Sequence, residues 1–296
     1  MVAAATGCVR TTRGRDARLP PHERGSSLRR VRAAAQSLGL KFREVVAPLG
    51  RKLDSVRGSP GVMRWGRPVA IGLSILFVAF AALRLYATAT LTYEGLLGYD
   101  YGHYLDATRR WIDIGTPYLP SEVAAPFDYA PLTFLHPPTS LPFFAIFLPL
   151  PAILWWAIPL AIVAISVAAY RPAAWTWPVM AASLAFPGFA AVMVVGNTDM
   201  WAWAAFALAI RWGWPAALLV AVKPSLAVLG LVGITRRSTW IVGLLVVVVA
   251  MFFGDLWWQW GMVVINSPGN LDYSRQNLPW LIMPAIAWAG RASSQR

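Results

Sequence analysis

Long apolar runs that are nearly free of charge fill the second part of this chain, and they limit what it can fold into. Residues 69–88 include one charged side chain, Arg84, and residues 132–170 include none. A helix needs about 20 apolar residues to cross the hydrocarbon core of a bilayer. Only 13% of the residues are charged, whereas a soluble domain carries roughly a quarter. The sequence therefore predicts an all-α, polytopic transmembrane helical bundle.

The positive charge is concentrated near the N-terminus. Of the formal net charge of +13, the first 68 residues supply +11, from 15 Lys and Arg against 4 Asp and Glu. This segment lacks the interleaved aromatic residues, helical periodicity and zinc-ligand spacing of nucleic-acid-binding modules, so no nucleic-acid partner is expected. Residues 1–62 are predicted to form a disordered basic tail in the cytoplasm, where it contacts anionic lipid headgroups.

Arginines between the apolar runs set the predicted topology, because cytoplasmic loops are enriched in positive charge. They are Arg171, Arg211, Arg236, Arg237 and Arg291. The domain 63–290 is then predicted to make about eight crossings, some short or re-entrant, and 291–296 is a cytoplasmic end. The predicted crossings are 69–88, 132–170, 173–195, 200–210, the hairpin arms 212–222 and 225–234, 239–253 and 279–290. Prolines break 132–170, which is predicted to form one full span and a shorter dipping or interfacial helix.

This topology brings four polar insertions to the outer face. The first outer loop is 90–131 and is predicted to contain a helix; the late outer loop is 254–278. The insertions are the Asp100 segment, Gly196-Asn197-Thr198-Asp199, Lys223-Pro224-Ser225, and Asn270 together with Arg275-Gln276-Asn277. Unrelated loops need no common side of the membrane, whereas a composite site does. We therefore expect one extracytoplasmic site.

Asp100 is the candidate catalytic residue, a general base. In a helix that begins near it, Asp100, Tyr104 and Trp111 share one stripe. Asp106 and Arg109 can neutralise each other across one helical turn, whereas Asp100 has no cation within four residues. A carboxylate left without a partner can accept a proton. Alternatively, Asp100 caps the N-terminus of the helix, a position that aspartate favours.

Lys223 and Arg275 are the candidates for binding an anionic group. Lys223 lies between two apolar arms, where an ammonium costs roughly a few kcal/mol unless it is paired or hydrated. A buried cation that is reached from the outer face suits an anionic headgroup such as a lipid-linked phosphate. The alternative is that the Lys223 side chain extends to the membrane surface, since its flanking arms are short.

Asn197, Asp199 and His103 are polar residues for which the pattern leaves alternatives open. Asn197 and Asp199 can bind sugar hydroxyls, or Asp199 caps a helix that starts at Met200. His103 lies one turn from the candidate base, but two ligands with no third form a weak metal signal. Cys8 is the single cysteine, which excludes a thiolate metal site. No metal and no cofactor are therefore predicted.

Three motifs in the first outer loop resemble those of a known enzyme class. They are Asp100-x3-Tyr104-x2-Ala107, Gly115-x2-Tyr118 and Phe127-x-Tyr129-x-Pro131, ahead of a Pro-rich apolar run. Their order is similar to bacterial GT-C glycosyltransferases that use polyprenol-phosphate sugars, above all the actinobacterial polyprenol-phosphate-mannose-dependent α-mannosyltransferase family. Residues 196–199 resemble that family's Gly-Gln-x-Asn element with two departures, Asn197 and Asp199, and Lys223-Pro224 between short arms is also similar. The resemblance covers about residues 69–290.

The resemblance implies a GT-C fold with a helical first extracytoplasmic loop and an inverting transferase activity. A sugar, mannose in that family, would move from a polyprenyl-phosphate donor to an envelope glycolipid or polysaccharide acceptor, with Asp100 as general base. Lys223 and Arg275 would bind the donor phosphate. The residues implied for sugar or acceptor binding are His103, Tyr104, Asn197, Asp199, Asn270, Gln276 and Asn277. The implied partners are the donor, the acceptor and the lipids of the cell membrane.

Two other classes of protein stay open from the sequence: a lipid-carrier flippase or transporter, and a non-catalytic membrane subunit that keeps the fold. A transporter favours internal repeats and polar groups at the bilayer midplane. Here no repeat is evident and the polar insertions share one face, which favours an enzyme. Replacing Asp100 by Asn separates an enzyme from a scaffold, because only the enzyme loses turnover.

Overall fold

The computed structural model describes residues 60–92, 95–127, 133–267 and 276–291. Within these ranges the chain is helical and has no β-strand, which confirms the predicted all-α class. Pro172 and Arg291 form an isolated antiparallel bridge. Most of the predicted basic tail, and the residues after Arg291, lie outside the described ranges.

Fourteen α-helices follow one another in the described ranges. They are α1 (Pro60–Ala87), α2 (Tyr99–Ile114), α3 (Pro120–Ala124), α4 (Leu141–Ala145), α5 (Ile153–Tyr170), α6 (Trp177–Leu184), α7 (Pro187–Val195), α8 (Asp199–Trp212), α9 (Pro215–Val222), α10 (Ala227–Gly230), α11 (Arg237–Met251), α12 (Leu256–Asn266), α13 (Leu278–Leu281) and α14 (Met283–Ala289). Short 3₁₀ turns cover Pro138–Ser140, Ala174–Thr176, Pro224–Leu226 and Leu231–Gly233, and a π-helical turn, Thr88–Thr92, extends α1.

The first predicted span matches α1. The continuous helix Trp65–Thr92 is long and apolar enough to cross a bilayer. Its large apolar side chains are mostly exposed, including Leu76 at 61% and Leu83 at 63%. Arg84 lies in the last turn of α1. Such a helix, apolar and exposed around much of its circumference, suits lipid rather than water as its surroundings.

The proline-rich run 132–170 contains one long helix and one short one, as the sequence predicts. α5 has 18 residues and is a second candidate span. α4 has five residues and is preceded by a 3₁₀ turn; prolines at the beginning of both elements replace backbone donors that the first turn of a helix does not use. Prolines therefore stand at the start of the short elements, the 3₁₀ turn and α4, and the long helix α5 is not interrupted.

Within the described residues, fewer helices are long enough to cross a membrane than the eight crossings that the sequence predicts, and the count of eight is not confirmed. By length and composition, two helices in the described ranges can cross a membrane, or up to four if each of two bent pairs counts as one span. The run 173–195 bends by 64° between α6 and α7, because Pro187 disfavours helical geometry at Phe186, where ψ is 140°. The predicted late outer loop, 254–278, contains the helix α12. Helix lengths thus support a membrane protein but not eight full crossings.

α5 and α8 run side by side in the same direction and define two ends of the bundle. Near their beginnings, the Trp155 indole donates a hydrogen bond to the Gly196 carbonyl at 2.7 Å. Towards their ends, the Tyr170 hydroxyl donates to the Ala207 carbonyl at 2.5 Å. We call the first the network end, after the polar side chains described below. We call the second the arginine end; it contains Arg171, Arg211, Arg236 and Arg291.

Candidate functional site

Side chains from four separate segments meet at the network end. They are Asp100 of α2, Asn197 and Asp199 around the start of α8, Lys223 after α9, and Asn277 before α13. All of them except Asp100, which is half-buried, are buried. With Tyr104, these make up six of the ten predicted site residues. Residues that are distant in the chain thus form one hydrogen-bonded network.

Asn197 is the centre of this network because its amide contacts both charged ends. Its Nδ2 donates to Asp100 Oδ2 at 2.5 Å, and its Oδ1 accepts from Lys223 Nζ at 2.9 Å. The backbone N–H of Asp199 also donates to Asn197 Oδ1, at 3.0 Å. These partners fix the orientation of the amide. One side chain therefore connects the candidate base to the candidate cation.

Lys223 forms a buried ion pair with Asp199. Only 8% of the Lys223 residue surface is exposed, which contradicts the alternative that its side chain extends to the membrane surface. Pro224 follows directly and ends α9, because the residue before a proline avoids helical geometry. The break turns Lys223 away from the helix and into the network.

Asp199 and Asn277 lie at the starts of helices, but their side chains cap neither. α8 begins at Asp199 itself, with Thr198 as its N-cap, so the predicted capping role of Asp199 is wrong. The Asp199 carboxylate instead accepts a hydrogen bond from Asn277 Nδ2 and pairs with Lys223. The Trp280 indole donates to Asn277 Oδ1 at 3.2 Å and holds that amide in place. Both residues are thus committed to the network.

Asp100 keeps one carboxylate oxygen available. The N-cap of α2 is Gly98, so Asp100 does not cap the helix and instead lies in its first turn, where a negative charge is favoured. Its Oδ2 accepts from Asn197 and, at 3.5 Å, from the Tyr104 hydroxyl. Burial raises the pKa of Asp100, and the Asn197 hydrogen bond and the Lys223 ammonium oppose that rise. Its Oδ1 has no hydrogen bond to the described residues, which leaves it able to accept a proton.

The turn before Asn197 requires glycine. Gly196 has φ of +73°, and a Cβ there would lie 2.9 Å from the Trp156 ring and 3.1 Å from Tyr101 Cβ. The Gly196 carbonyl accepts from the Trp155 indole. The absence of a side chain therefore lets α2 and α5 approach the turn closely and places Asn197 opposite Asp100.

His136 lies beside the network and contacts Thr198 and Val222, a role that was not predicted from the sequence. Its Nδ1 lies 3.0 Å from the Val222 carbonyl, and its Nε2 lies 3.4 Å from the Thr198 hydroxyl. Burial, together with the Lys223 ammonium, lowers the pKa of His136 to about 3, so the ring is neutral. Nδ1 therefore donates and Nε2 accepts. The ring connects the residue before Lys223 to the residue between Asn197 and Asp199.

Two further predicted site residues, His103 and Gln276, take no part in the network. Within the described part of the chain, neither ring nitrogen of His103 has a hydrogen-bond partner, and the ring packs edge-on against Tyr99. Gln276 is exposed. Asn270 and Arg275 lie outside the described residues. No group of three or more His, Cys, Asp or Glu residues in the described ranges is arranged to hold a metal ion.

An apolar cavity of about 180 Å³ begins at the network. Thr198 and Lys223 form its polar end, and the rest of its lining is apolar. Its walls come from α4, α5, α8 and α9, with Phe143, Ile162, Trp201 and Leu218 among them. A ligand with an anionic group and a hydrocarbon chain would match both parts.

Comparisons with known proteins return no match: no protein-family model, no curated protein and no solved structure matches this chain. The function must therefore be argued from the site itself. That site combines a carboxylate with one oxygen that no described residue hydrogen-bonds, an ammonium joined to it through a single amide, and an apolar cavity beside the ammonium.

Proposed function

We propose that this protein is an integral membrane glycosyltransferase of the GT-C type. It transfers a sugar, mannose in the family it resembles, from a polyprenyl-phosphate donor to a glycolipid or polysaccharide acceptor of the cell envelope. The observation that carries the proposal is the connection of Asp100 to Lys223 through Asn197, beside an apolar cavity. A base, a cation and a place for hydrocarbon are what a lipid-phosphate sugar donor requires.

Asp100 is the general base of this reaction. The acceptor hydroxyl gives its proton to Asp100 Oδ1, and its oxygen attacks the anomeric carbon of the sugar. The bond between that carbon and the phosphate oxygen breaks, and the phosphate leaves with the electron pair. Attack from the face opposite the leaving group inverts the anomeric centre. A positioned base of this kind contributes about 10²- to 10⁴-fold in rate.

Lys223 binds the donor phosphate through a hydrogen bond rather than through a free positive charge. Its ammonium has three N–H groups, and Asp199 and Asn197 take two of them. The third has no partner among the described residues, and we propose that it binds a phosphate oxygen at the polar end of the cavity. Because Asp199 already neutralises Lys223, the charge of the leaving phosphate calls for a second cation. Arg275 is our proposal for that residue, from the sequence.

The hydrocarbon of the donor enters the apolar cavity. Isoprenoid units next to the phosphate would contact Phe143, Trp201 and Leu218, and the rest of the chain would stay in the bilayer. The sugar would project towards Asp100 and Tyr104. In this arrangement the network end faces the extracytoplasmic side, and the arginine end faces the cytoplasm as the positive-inside rule requires.

The test is sugar transfer by the purified protein in lipid nanodiscs, supplied with radiolabelled polyprenyl-phosphate sugars and candidate glycolipid acceptors. We expect wild-type transfer with an inverted product, and a loss of about 100-fold or more in kcat for Asp100→Asn. The matched control is Asp113→Asn, which changes an exposed carboxylate on the same helix and should leave the rate unchanged.

Three results would contradict the proposal in different ways. Full transferase activity in Asp100→Asn would remove that residue from the mechanism. Movement of a labelled lipid-linked sugar between leaflets without transfer would favour the flippase or transporter. Neither movement nor transfer with any donor would favour the non-catalytic subunit.

A further inference from the structure

α11 and α12 meet at a fixed right angle. Their axes differ by 98°. The Trp257 indole of α12 donates to the Ala250 carbonyl in the last turn of α11 at 2.7 Å, and the Leu256 N–H donates to the Phe253 carbonyl at 2.9 Å. The Ala250 carbonyl also accepts from the Phe253 N–H at 3.2 Å, so backbone and side-chain donors both hold the turn after α11. These hydrogen bonds therefore hold the bend in a defined geometry.

One face of α12 holds the first outer loop. Gln259 Oε1 accepts from the Thr116 hydroxyl at 2.6 Å. Asn266 Nδ2 donates to the carbonyls of Glu122 and Val123, each at 3.0 Å. Val263, between these two on the same face, is fully buried. The polar groups of α12 are thus directed at the protein, which is the reverse of a helix on the surface of a soluble protein.

A second face of α12, about 100° around the helix axis from the first, is apolar and exposed. Trp258 and Ile265 are 71% and 70% exposed, and Met262 lies between them at the spacing of one helical stripe. The helix α11, which the bend joins to α12, has no buried residue and exposes Leu244 at 66% and Met251 at 77%. The same surroundings must therefore cover both helices.

We propose that α12 lies in the plane of the membrane, with Trp258, Met262 and Ile265 in the boundary between headgroups and acyl chains. The partner is the lipid surface itself, because α12 follows directly on α11, an apolar helix with no buried residue, and the two together are apolar enough for a membrane. The eleven residues of α12 are too few to cross a core of roughly 30 Å. Interfacial helices bury one apolar face, and tryptophan favours this depth.

This placement gives α12 a mechanical role beyond anchoring. Its inner face binds the segment between Thr116 and Val123, which follows α2 directly. The membrane surface therefore fixes the position, along the membrane normal, of the loop that contains Asp100. The inference does not depend on transferase activity, since it concerns only where the helix lies.

The test measures depth at two positions of α12. A Cys8→Ser background contains no cysteine, so Trp258→Cys and Ile265→Cys can each carry one fluorescent NBD group in nanodiscs of phosphatidylcholine and phosphatidylglycerol. The two positions are seven residues apart, about 10 Å along a helix. We expect equal depth at both, with stronger quenching by doxyl lipids labelled near the headgroup than by those labelled at the chain end.

Two controls calibrate the depth scale, and Met262→Cys repeats the measurement on the same face. Asp113→Cys on α2 should be quenched by aqueous iodide, and Leu244→Cys within α11 should be quenched most by lipids labelled deep in the chain. A difference of about 10 Å between positions 258 and 265 would mean that α12 continues the crossing and would overturn the proposal. Protection from both lipid and iodide quenchers would also overturn it, because a protein surface would then cover the face.

Discussion

The two ends of the bundle satisfy their polar groups in different ways. At the arginine end, the Arg236 guanidinium donates to the carbonyls of Ile210 and Arg211, and the Ser238 hydroxyl donates to Trp212, so side chains complete the last turn of α8. At the network end, side chains bond to one another: Asp100 and Asn197 are 97 residues apart in the chain. The first arrangement finishes a helix. The second fixes specific functional groups relative to one another, which a binding site requires.

The largest difference that we predict between the two ends is the loss of stability when a cation is removed. In Lys223→Met, the fully buried Asp199 carboxylate loses its ion-pair partner. Breaking a buried pair by removing one member destabilises a protein by about 3–5 kcal/mol. We expect the thermal unfolding midpoint in detergent to fall by several degrees or more. Arg236→Met at the other end should cost less, about 1–3 kcal/mol, because only hydrogen bonds to carbonyls are lost.

A double variant checks the cause of that loss. Lys223→Met combined with Asp199→Asn removes both charges and keeps a group that can bond to Asn277. It should recover most of the stability that Lys223→Met loses, while donor binding stays weak. A double variant no more stable than Lys223→Met would show that the charge pair is not what holds this end together.

Two glycines with positive φ provide the next test. Gly196 and Gly213 have φ of +73° and +80°. Gly196 is in the left-handed helical region, where alanine costs about 1–2 kcal/mol, whereas Gly213, with ψ of −52°, lies outside it. At Gly196 the new Cβ would also press on the Trp156 ring and on Tyr101, whereas at Gly213 it would lie 2.9 Å from Arg236 Cβ and 3.0 Å from Thr239 Oγ1, at the arginine end. We expect Gly196→Ala to reduce transferase activity strongly and Gly213→Ala to change stability only.

Gly115→Ala is the matched control for backbone strain alone. Gly115 has φ of +83°, and nothing lies within 4 Å of its added Cβ. Its loss of stability, read from the unfolding midpoint, gives the backbone strain that Gly196→Ala shares, because both glycines are in the left-handed helical region. Equal activity in Gly196→Ala and Gly115→Ala would mean that the close approach at Gly196 does not position Asn197.

The helices were predictable where apolar runs are long and proline marks their beginnings. α1 and α5 follow from such runs, and the right-angled bend before α12 does not. The sequence predicts 254–278 as an outer loop, and α12 lies within it; its polar residues include Gln259 and Asn266. Their hydrogen bonds to residues 116–123, far away in sequence, are what make a helix there favourable. Tertiary contacts of that kind leave no periodic signal.

The sequence predicts that the polar insertions meet, because the positions of the arginines put all of the insertions on the same predicted side of the membrane. The partners within the network were not predictable. No local pattern pairs Lys223 with Asp199, and the pairing decides that Lys223 carries no free charge. His136 gave no signal either, because a histidine before two prolines is ordinary in a loop; its importance depends on contacts with Thr198 and Val222.

The smallest predicted difference between the ends concerns pH. Burial raises the pKa of Asp100 above its ordinary value of 3.8, so the folded state binds this proton more tightly than the unfolded state. The resulting stabilisation is present below pH 3.8 and is lost as pH rises through the raised pKa. Asparagine at position 100 does not ionise, so the Asp100→Asn variant does not lose stability in this way as pH rises. The variant should therefore be more stable than wild type at neutral pH, by unfolding midpoint, although we expect its kcat to fall by about 100-fold or more.

Activity should depend on pH in the opposite direction, because a general base must be ionised to accept a proton. We expect kcat/KM to rise with pH through the raised pKa of Asp100. Asn197→Ala removes a hydrogen bond that lowers this pKa, so its acid limb should move to higher pH. Arg236→Lys changes the arginine end alone and should leave the limb in place. If the acid limb of the kcat/KM profile stays in place in Asn197→Ala, another group limits the rate in acid. The Asn197 amide would then connect Asp100 to Lys223 without changing the pKa of Asp100.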